Sequence, residues 1–574
     1  MRGGTRLWAL AICATAMGAW APSAEAAVSC SMDTSNHWLT ITVSGEDGTT
    51  AGVGIVRNGS AIEVYSGELP PGAGTPVNCG ASPTVTTVDS VWVYKPYHPE
   101  LNMDLTLSIA GGDFAPGFTA EGSGASEIEF DLWADRDDRF TLLAGQGNDM
   151  IRLGEDRYSP SANLNPAAEL AAPDADIDLD TDPEVDVFTD GRFPAAGGND
   201  EFTATGATSE FSGPYQGEFS VYGGPGDDRL SSTDWQSGPV LYVYETLLAG
   251  GPGDDELVGG MSDLFMPGTG NDIAAGTPAQ GFGIPFGSNT VSYADSPAGV
   301  VVNLSASGPQ DTVGAGVDTL SGISSVQGSA RGDVLIGPDA SGWLVGDPPG
   351  AEGGDDVLVQ MGGLDYMEGG GGTDTASFQS SSQPVDVHLG EEGQPGSFTR
   401  PAGIESVVGS PFDDVITGND DANQIIGLAG RDSIAGRGGA DYVDVVDGER
   451  DDVSCGEPSP GDTVVADSRS LDLIGPDCED VSVAFPSPPD TKPPKTTISD
   501  KPRKRSRKRK VRFEFKASED GSVFECRIDA EPFAPCTTPS LFRLDRGSHR
   551  LLVRAKDLAG NVDPTPASFR FTLR

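Results

Sequence analysis

Histidine is scarce: the chain has 4 in 574 residues, and His37, His98, His388 and His549 lie far apart. No H-E-x-x-H pair exists to support a zinc hydrolase, and no serine stands in a G-x-S-x-G elbow. Cysteines never occur as C-x-x-C, which argues against a zinc cluster. Aromatic residues make up only 7% and apolar residues 37%, a thin supply for one large globular core. Many small, local cores suit such a chain better. Long helices are disfavoured, because 78 Gly and 43 Pro punctuate the sequence and both residues weaken helix interiors. Lys and Arg number 36 against 87 Asp and Glu, a net charge of −51 that repels nucleic acid.

The acidity is uneven. Residues 492–574 hold 20 Lys or Arg against 10 Asp or Glu, about +10, so the remainder stands near −61. Two carboxylates about 4 Å apart repel by about 1 kcal/mol in water and several-fold more when partly buried. Clustered aspartates on this scale call for a counter-ion.

The N-terminus, "MRGGTRLWALAICATAMGAWAPSAEA", places Arg2 and Arg6 before an apolar run and ends on Ala24-Glu25-Ala26. A basic start, a short apolar centre and a small-x-small end make residues 1–26 a secretory signal. The apolar run Leu7 to Ala21 is shorter than the ~20 residues needed to span a bilayer, and no later segment could span one, so the expectation is an extracellular protein. Six cysteines follow the signal: Cys30, Cys79, Cys455, Cys478, Cys526 and Cys536. Three local disulfides are the simplest pairing in an oxidising compartment.

The strongest pattern is a nine-residue period. Asp414, Asn423, Asp432 and Asp441 lie nine apart, each followed two residues later by Ile416, Ile425, Ile434 and Val443. Neither a helix nor a strand produces that spacing. "GGPGDDRLS" from Gly223 and "GGPGDDELV" from Gly250 repeat the unit G-G-x-G-x-D-x-U-x, where U is aliphatic, and place Asp228 and Asp255 at position six. Asp263 and Asp272 continue the second series, and Asp356, Asp365 and Asp374 form another. Asp333 stands in "GSARGDVLIG", and weaker single units end near Asp149 and Asp200. A longer period overlies the short one: "NTVSYADSPAGVVVNLS" from Asn289 matches "DTASFQSSSQPVDVHLG" from Asp374.

Flanking regions read differently. Residues 27–144 show short alternating segments such as "HWLTITVSG", an N-terminal β-rich cap of strands joined by turns. Residues 145–219 combine degenerate repeats with an acidic loop, and Tyr158 to Glu184 reads as solvated. Repeat blocks fill 220–456, a disulfide-closed end spans 457–484, and a Pro-rich linker covers 485–495. Residues 496–574 alternate as a compact β-sandwich that carries the basic run "KPRKRSRKRKVR" from Lys501 on what reads as a loop.

The nonapeptide series resembles the RTX, or hemolysin-type calcium-binding, repeats. The C-terminal "FECRIDAEPFAPC" with "GSHRLLVRAKDLAGNVDPTP" resembles a bacterial immunoglobulin-like domain. These resemblances imply an all-β fold: a parallel β-roll, or RTX solenoid, with an N-terminal β cap and a C-terminal immunoglobulin-like sandwich. Family members often lack a cleaved N-terminal signal, and this chain departs on that point. In a roll, two repeats complete one coil, so Asp414 stacks with Asp432, Asn423 with Asp441, Asp356 with Asp374, and Asp255 with Asp272. Calcium takes six to eight oxygens with loose geometry, which carboxylates plus turn carbonyls can supply. The expected ligands are Asp228, Asp255, Asp263, Asp272, Asp333, Asp356, Asp365, Asp374, Asp414, Asn423, Asp432 and Asp441. A charged oxygen at Asn423 should then tighten its site.

The expected function is a secreted, non-catalytic calcium-binding protein acting in surface or matrix interactions. The basic run 501–512 is the candidate contact to an anionic cell-surface polymer. The alternative is an exported hydrolase that uses the roll as a folding and secretion device.

Overall fold

In a computed structural model the described residues are 27–44, 49–58, 60–67, 74–88, 90–95, 102–108, 129–132, 139–143, 150–155, 160–163, 177–179, 184–188, 199–204, 219–232, 246–277, 289–351, 353–363, 365–389, 400–456, 461–467, 471–484, 492–519, 522–529, 533–536, 538–556 and 561–574. The signal read over residues 1–26, Asp149, and residues 485–491 of the linker lie outside them. The described chain is all-β, and among the described residues no helix is long and apolar enough to cross a membrane. It divides into two compact units, one ending at Thr277 and the other beginning at Pro278.

In the first unit the strands alternate between two sheets. Trp38–Ser44, Ser90–Tyr94 and Glu129–Leu132 pair in parallel in one sheet, while Thr50–Asn58, Asn102–Ser108 and Arg139–Leu143 pair in parallel in the other. The repeats continue both sheets: Glu201–Thr203, Arg229–Ser231, Glu256–Val258 and Ile273–Ala275 join the first, and Glu184–Phe188, Phe219–Tyr222, Leu247–Pro252 and Leu264–Thr269 the second. Parallel stacking thus begins well before the first clear nonapeptide. Within the stretch read as a solvated loop, Pro160–Asn163 and Ile177–Leu179 form strands.

The second unit alternates likewise. Its nine-stranded sheet runs from Val301–Asn303 to Asp480–Val483, and a five-stranded sheet from Asp386–His388 to Leu473–Ile474, with parallel pairing throughout. Stacking therefore extends beyond residue 456. Each strand is typically three residues long, and its central side chain points inward as the period of two requires. Leu335, Leu358, Ile416, Ile425 and Val443 are 0% exposed, as are Leu230 and Leu257 of the first unit. Each contributes about 1.5–3 kcal/mol of burial, so stability accrues rung by rung.

Residues 497–573 form two small sheets around a shared core of Val511, Phe513, Phe515, Leu551, Val553, Phe571 and Leu573. The basic run is not a free loop: Arg505–Ser506 pairs with Thr572–Leu573, and Lys510–Lys516 is a strand of the other sheet. Disulfides join Cys30 to Cys79, Cys455 to Cys478 and Cys526 to Cys536, the pairing expected from the sequence. Such bonds belong to a compartment that does not reduce them.

Candidate metal centre

The described position-six residues are buried beneath their turns, and one bond recurs among them. A backbone N–H donates to the Oδ1 of the residue stacked on it: Asp228 to Asp255, Asp255 to Asp272, Asp333 to Asp356 and Asp356 to Asp374, all at 2.8 Å. Asn423 donates to Asp441 and Asp414 to Asp432, both at 2.9 Å. All four stacked pairs implied by the roll resemblance are therefore in register. Asp365 accepts from Gly342 N–H at 2.8 Å, and Asp200, which ends a weaker single unit, donates to Asp228 at 2.8 Å. An outer ladder at position five runs the opposite way, as where Arg431 N–H donates to Asp413 Oδ1 at 3.0 Å.

Several members of this ladder fall outside the nine-residue period. Asp432 donates to Asp451 at 2.8 Å, Asp451 to Asp472 at 3.3 Å, and Asp441 to Asp462 at 2.9 Å. Glutamate fills the same place twice, with Asp374 N–H donating to Glu405 at 2.9 Å and Asp462 N–H to Glu479 at 3.1 Å. The intervals here are not 18 residues, so the period is lost. The signature that survives is an acid followed two residues later by Val or Ile, as in Asp451-Asp452-Val453 and Asp472-Leu473-Ile474.

The second carboxylate oxygen divides the rungs into two kinds. At Asp414, Oδ2 accepts from Ser410 N–H at 2.6 Å while Oδ1 accepts from the Ser410 hydroxyl at 2.5 Å. Ser329 serves Asp333 in the same way, and Gly260 N–H with Ser232 Oγ serves Asp263. Asn423 Oδ1 accepts from Asn419 N–H at 2.9 Å, and its Nδ2 donates to Glu405 O and Asn419 Oδ1. These four rungs are sealed by the protein itself. At Asp228, Asp255, Asp356, Asp365, Asp374, Asp432, Asp441, Asp451 and Asp462, by contrast, Oδ2 is buried with no hydrogen-bond partner. Nine such oxygens, each costly to leave unsatisfied, form an ordered set.

The open oxygens face a cradle. A Cβ built on Gly346 would collide with Asp356 Oδ2 and the Gly369 carbonyl, and one on Gly369 with Asp374 Oδ2 and the Gly403 carbonyl. Gly223 meets Asp228 Oδ2 and the Gly250 carbonyl in the same manner. Glycine at position one thus leaves room where a carboxylate oxygen and a carbonyl from the neighbouring coil converge. All donors are hard oxygens, and among the described residues no three acidic, cysteine or histidine side chains form a metal cluster by themselves. Any cation here must draw on the turn carbonyls.

Burial raises these acids. Asp255, Asp356 and Asp432 are pushed up to about 8, Asp365 and Asp451 to about 7, and Asp228, Asp374 and Asp441 to about 6. For most of them neighbouring carboxylates add to the rise, as Asp414, Asp451 and Asp447 do at Asp432. Without a cation, protons must fill the role.

No family model matches the chain, and no curated protein does.

Proposed function

We propose that this protein is a secreted, calcium-binding RTX-type β-roll that orders on extracellular calcium and acts, without catalysis, in surface or matrix interactions. The observation that carries the reading is the set of buried, partnerless Oδ2 atoms at open rungs, seven of which, at Asp228, Asp255, Asp356, Asp365, Asp374, Asp432 and Asp441, are set against a glycine cradle. The oxygen-only donor set and loose geometry suit calcium, whereas magnesium demands a strict octahedron and sheds water reluctantly. Asp228, Asp255, Asp356, Asp365, Asp374, Asp432, Asp441, Asp451 and Asp462 would hold the ions together with turn carbonyls. Bound calcium supplies positive charge that neutralises stacked carboxylates. The sealed residues Asp263, Asp333, Asp414 and Asn423 then hold coils together rather than bind the ion, and Asp272 completes the bond to Asp255. Residues 1–26 act as the export signal, and residues 496–574 form an immunoglobulin-like sandwich.

Calcium titration followed by circular dichroism tests this. Excess chelator should remove most of the β signal, and calcium should restore it. Asp432→Asn should raise the calcium midpoint several-fold, because it removes one charged oxygen of an open rung. Arg431→Gln, next in sequence but exposed and paired with Asp413 at 3.0 Å, should change it little. Identical titrations for the two variants, or β structure indifferent to chelator, would refute the reading.

A further inference from the structure

The C-terminal module carries a feature that the calcium ladder does not use. Lys501, Arg503, Arg505, Arg507, Lys508 and Arg512 line a concavity of about 670 Å³, in which Asp500 is the one acidic lining residue. Its backbone is held in place: Thr572 N–H donates to Lys504 O at 2.9 Å, Arg574 N–H to Ser506 O at 2.9 Å, and Leu544 N–H to Arg509 O at 3.0 Å. Lys508 N–H donates to Ser506 Oγ at 3.0 Å, fixing the turn between the two strands. The charges therefore stand on an ordered edge and lose little backbone entropy when they meet a ligand.

Compensation is incomplete. Arg509 pairs with Asp545, and Arg512 with Glu514 at 3.2 Å. Among the described residues, Arg503, Lys504, Arg505, Arg507 and Lys508 have no carboxylate partner, so five cations are left within six positions. A single phosphate group carries about −1.5 to −2 charges, too few to neutralise five. Several anions in series can do so. Membrane insertion is a poor fit, since interfacial binding draws on exposed apolar side chains. Among the described residues of this module the exposed large apolar residue is Val523, and it does not line the concavity.

We propose that this cradle is a binding site for a linear polyanion, a chain of repeating phosphate or sulfate groups, which attaches the protein to an anionic polymer. Attachment does not depend on the calcium reading, because no rung residue takes part.

The test uses the full-length protein and labelled long-chain polyphosphate, dextran sulfate and neutral dextran, read by fluorescence anisotropy at about 0.15 M salt. One variant changes Arg503, Arg505, Arg507 and Lys508, all of which line the concavity, to Gln. A control of equal charge changes the exposed Lys495, Lys516, Lys556 and Arg570 to Gln. The cradle variant should lose about tenfold or more in affinity and show a flatter salt dependence, as expected when fewer counter-ions are released. The control should stay within about threefold, reflecting long-range charge that salt screens. Preference between polyphosphate and dextran sulfate names the anion. Arg507→Gln with Lys508→Gln, a milder change at exposed positions, should give an intermediate loss if the larger variant misfolds. Equal loss in cradle and control variants, or wild-type affinity no better than for neutral dextran, overturns the site. Binding to anionic phosphatidylglycerol vesicles without binding to either soluble polymer overturns it too, in favour of a membrane surface.

Discussion

At position two of the turn the backbone adopts a left-handed conformation, with φ of +89° at Gly224, +107° at Gly251 and +111° at Gly370. Arg437 holds the same place at φ 76°, where an L side chain costs about 1–2 kcal/mol. Arg437→Gly should therefore be more stable than Arg437→Ala by about 1 kcal/mol, since both remove the charge and only glycine relieves the strain. Chemical denaturation in saturating calcium measures the difference, and equal stability would remove strain from the account. Asn423 yields a reversal. A charged oxygen there was expected to tighten the site, but Nδ2 donates two hydrogen bonds, to Glu405 O and Asn419 Oδ1. A carboxylate cannot donate them, so Asn423→Asp should weaken calcium-dependent folding and raise the midpoint. A lowered midpoint would restore the original expectation.

At the scale of the element, the proposed calcium sites make protons and the cation competitors for the same buried oxygen. The sign follows from the raised acids: a carboxyl whose folded pKa stands near 6 to 8, above its ordinary 3.8, favours folding below 3.8 and loses that contribution as pH rises through 6 to 8. In chelator, lowering the pH from about 8 to 5 should therefore increase β structure in the ladder. In calcium the same change should weaken ion binding and raise the midpoint, because ligand oxygens must shed protons. Parallel pH trends in the two conditions would mean that protons and calcium do not share these oxygens. The core was legible in advance, since a nine-residue period singles out Ile416, Ile425, Ile434 and Val443 without regard to partners. The stacked pairs needed more than the period, because the two-repeat coil that sets them came from the resemblance to RTX repeats. Rungs Asp451, Asp462 and Asp472 were hidden because insertions break the count, although the acid-x-Val or Ile signature persists. The sealing role of Ser329 and Ser410 was hidden for another reason: in sequence each looks like a small stand-in for glycine, and only its two bonds to the following Asp reveal it. For residues 27–144, alternation indicated strands but could not name partners about 50 residues away, so parallel stacking there was not foreseen.

At the scale of the whole molecule, a net charge of −51 presents two distinct electrostatic problems. Exposed carboxylates repel through solvent, and simple salt screens them: at about 1 M the Debye length falls to ~3 Å. The buried rung oxygens are shielded from mobile ions, with Asp356 and Asp374 at 0% exposure and Asp228, Asp255 and Asp432 at 2%. If folding were limited by surface repulsion alone, about 1 M sodium chloride in chelator would order the chain as well as calcium does. The ladder predicts otherwise. Sodium chloride should compact the denatured ensemble modestly without restoring the parallel sheets, whereas ~1 mM calcium, within the range of extracellular calcium modules, should restore them at low salt. Magnesium at the same concentration should fail, because two open oxygens and a turn carbonyl do not repay its dehydration. Circular dichroism and small-angle scattering across the three conditions separate the two problems. Full ordering by sodium chloride would count against the proposed calcium rungs and place the obstacle to folding at the surface.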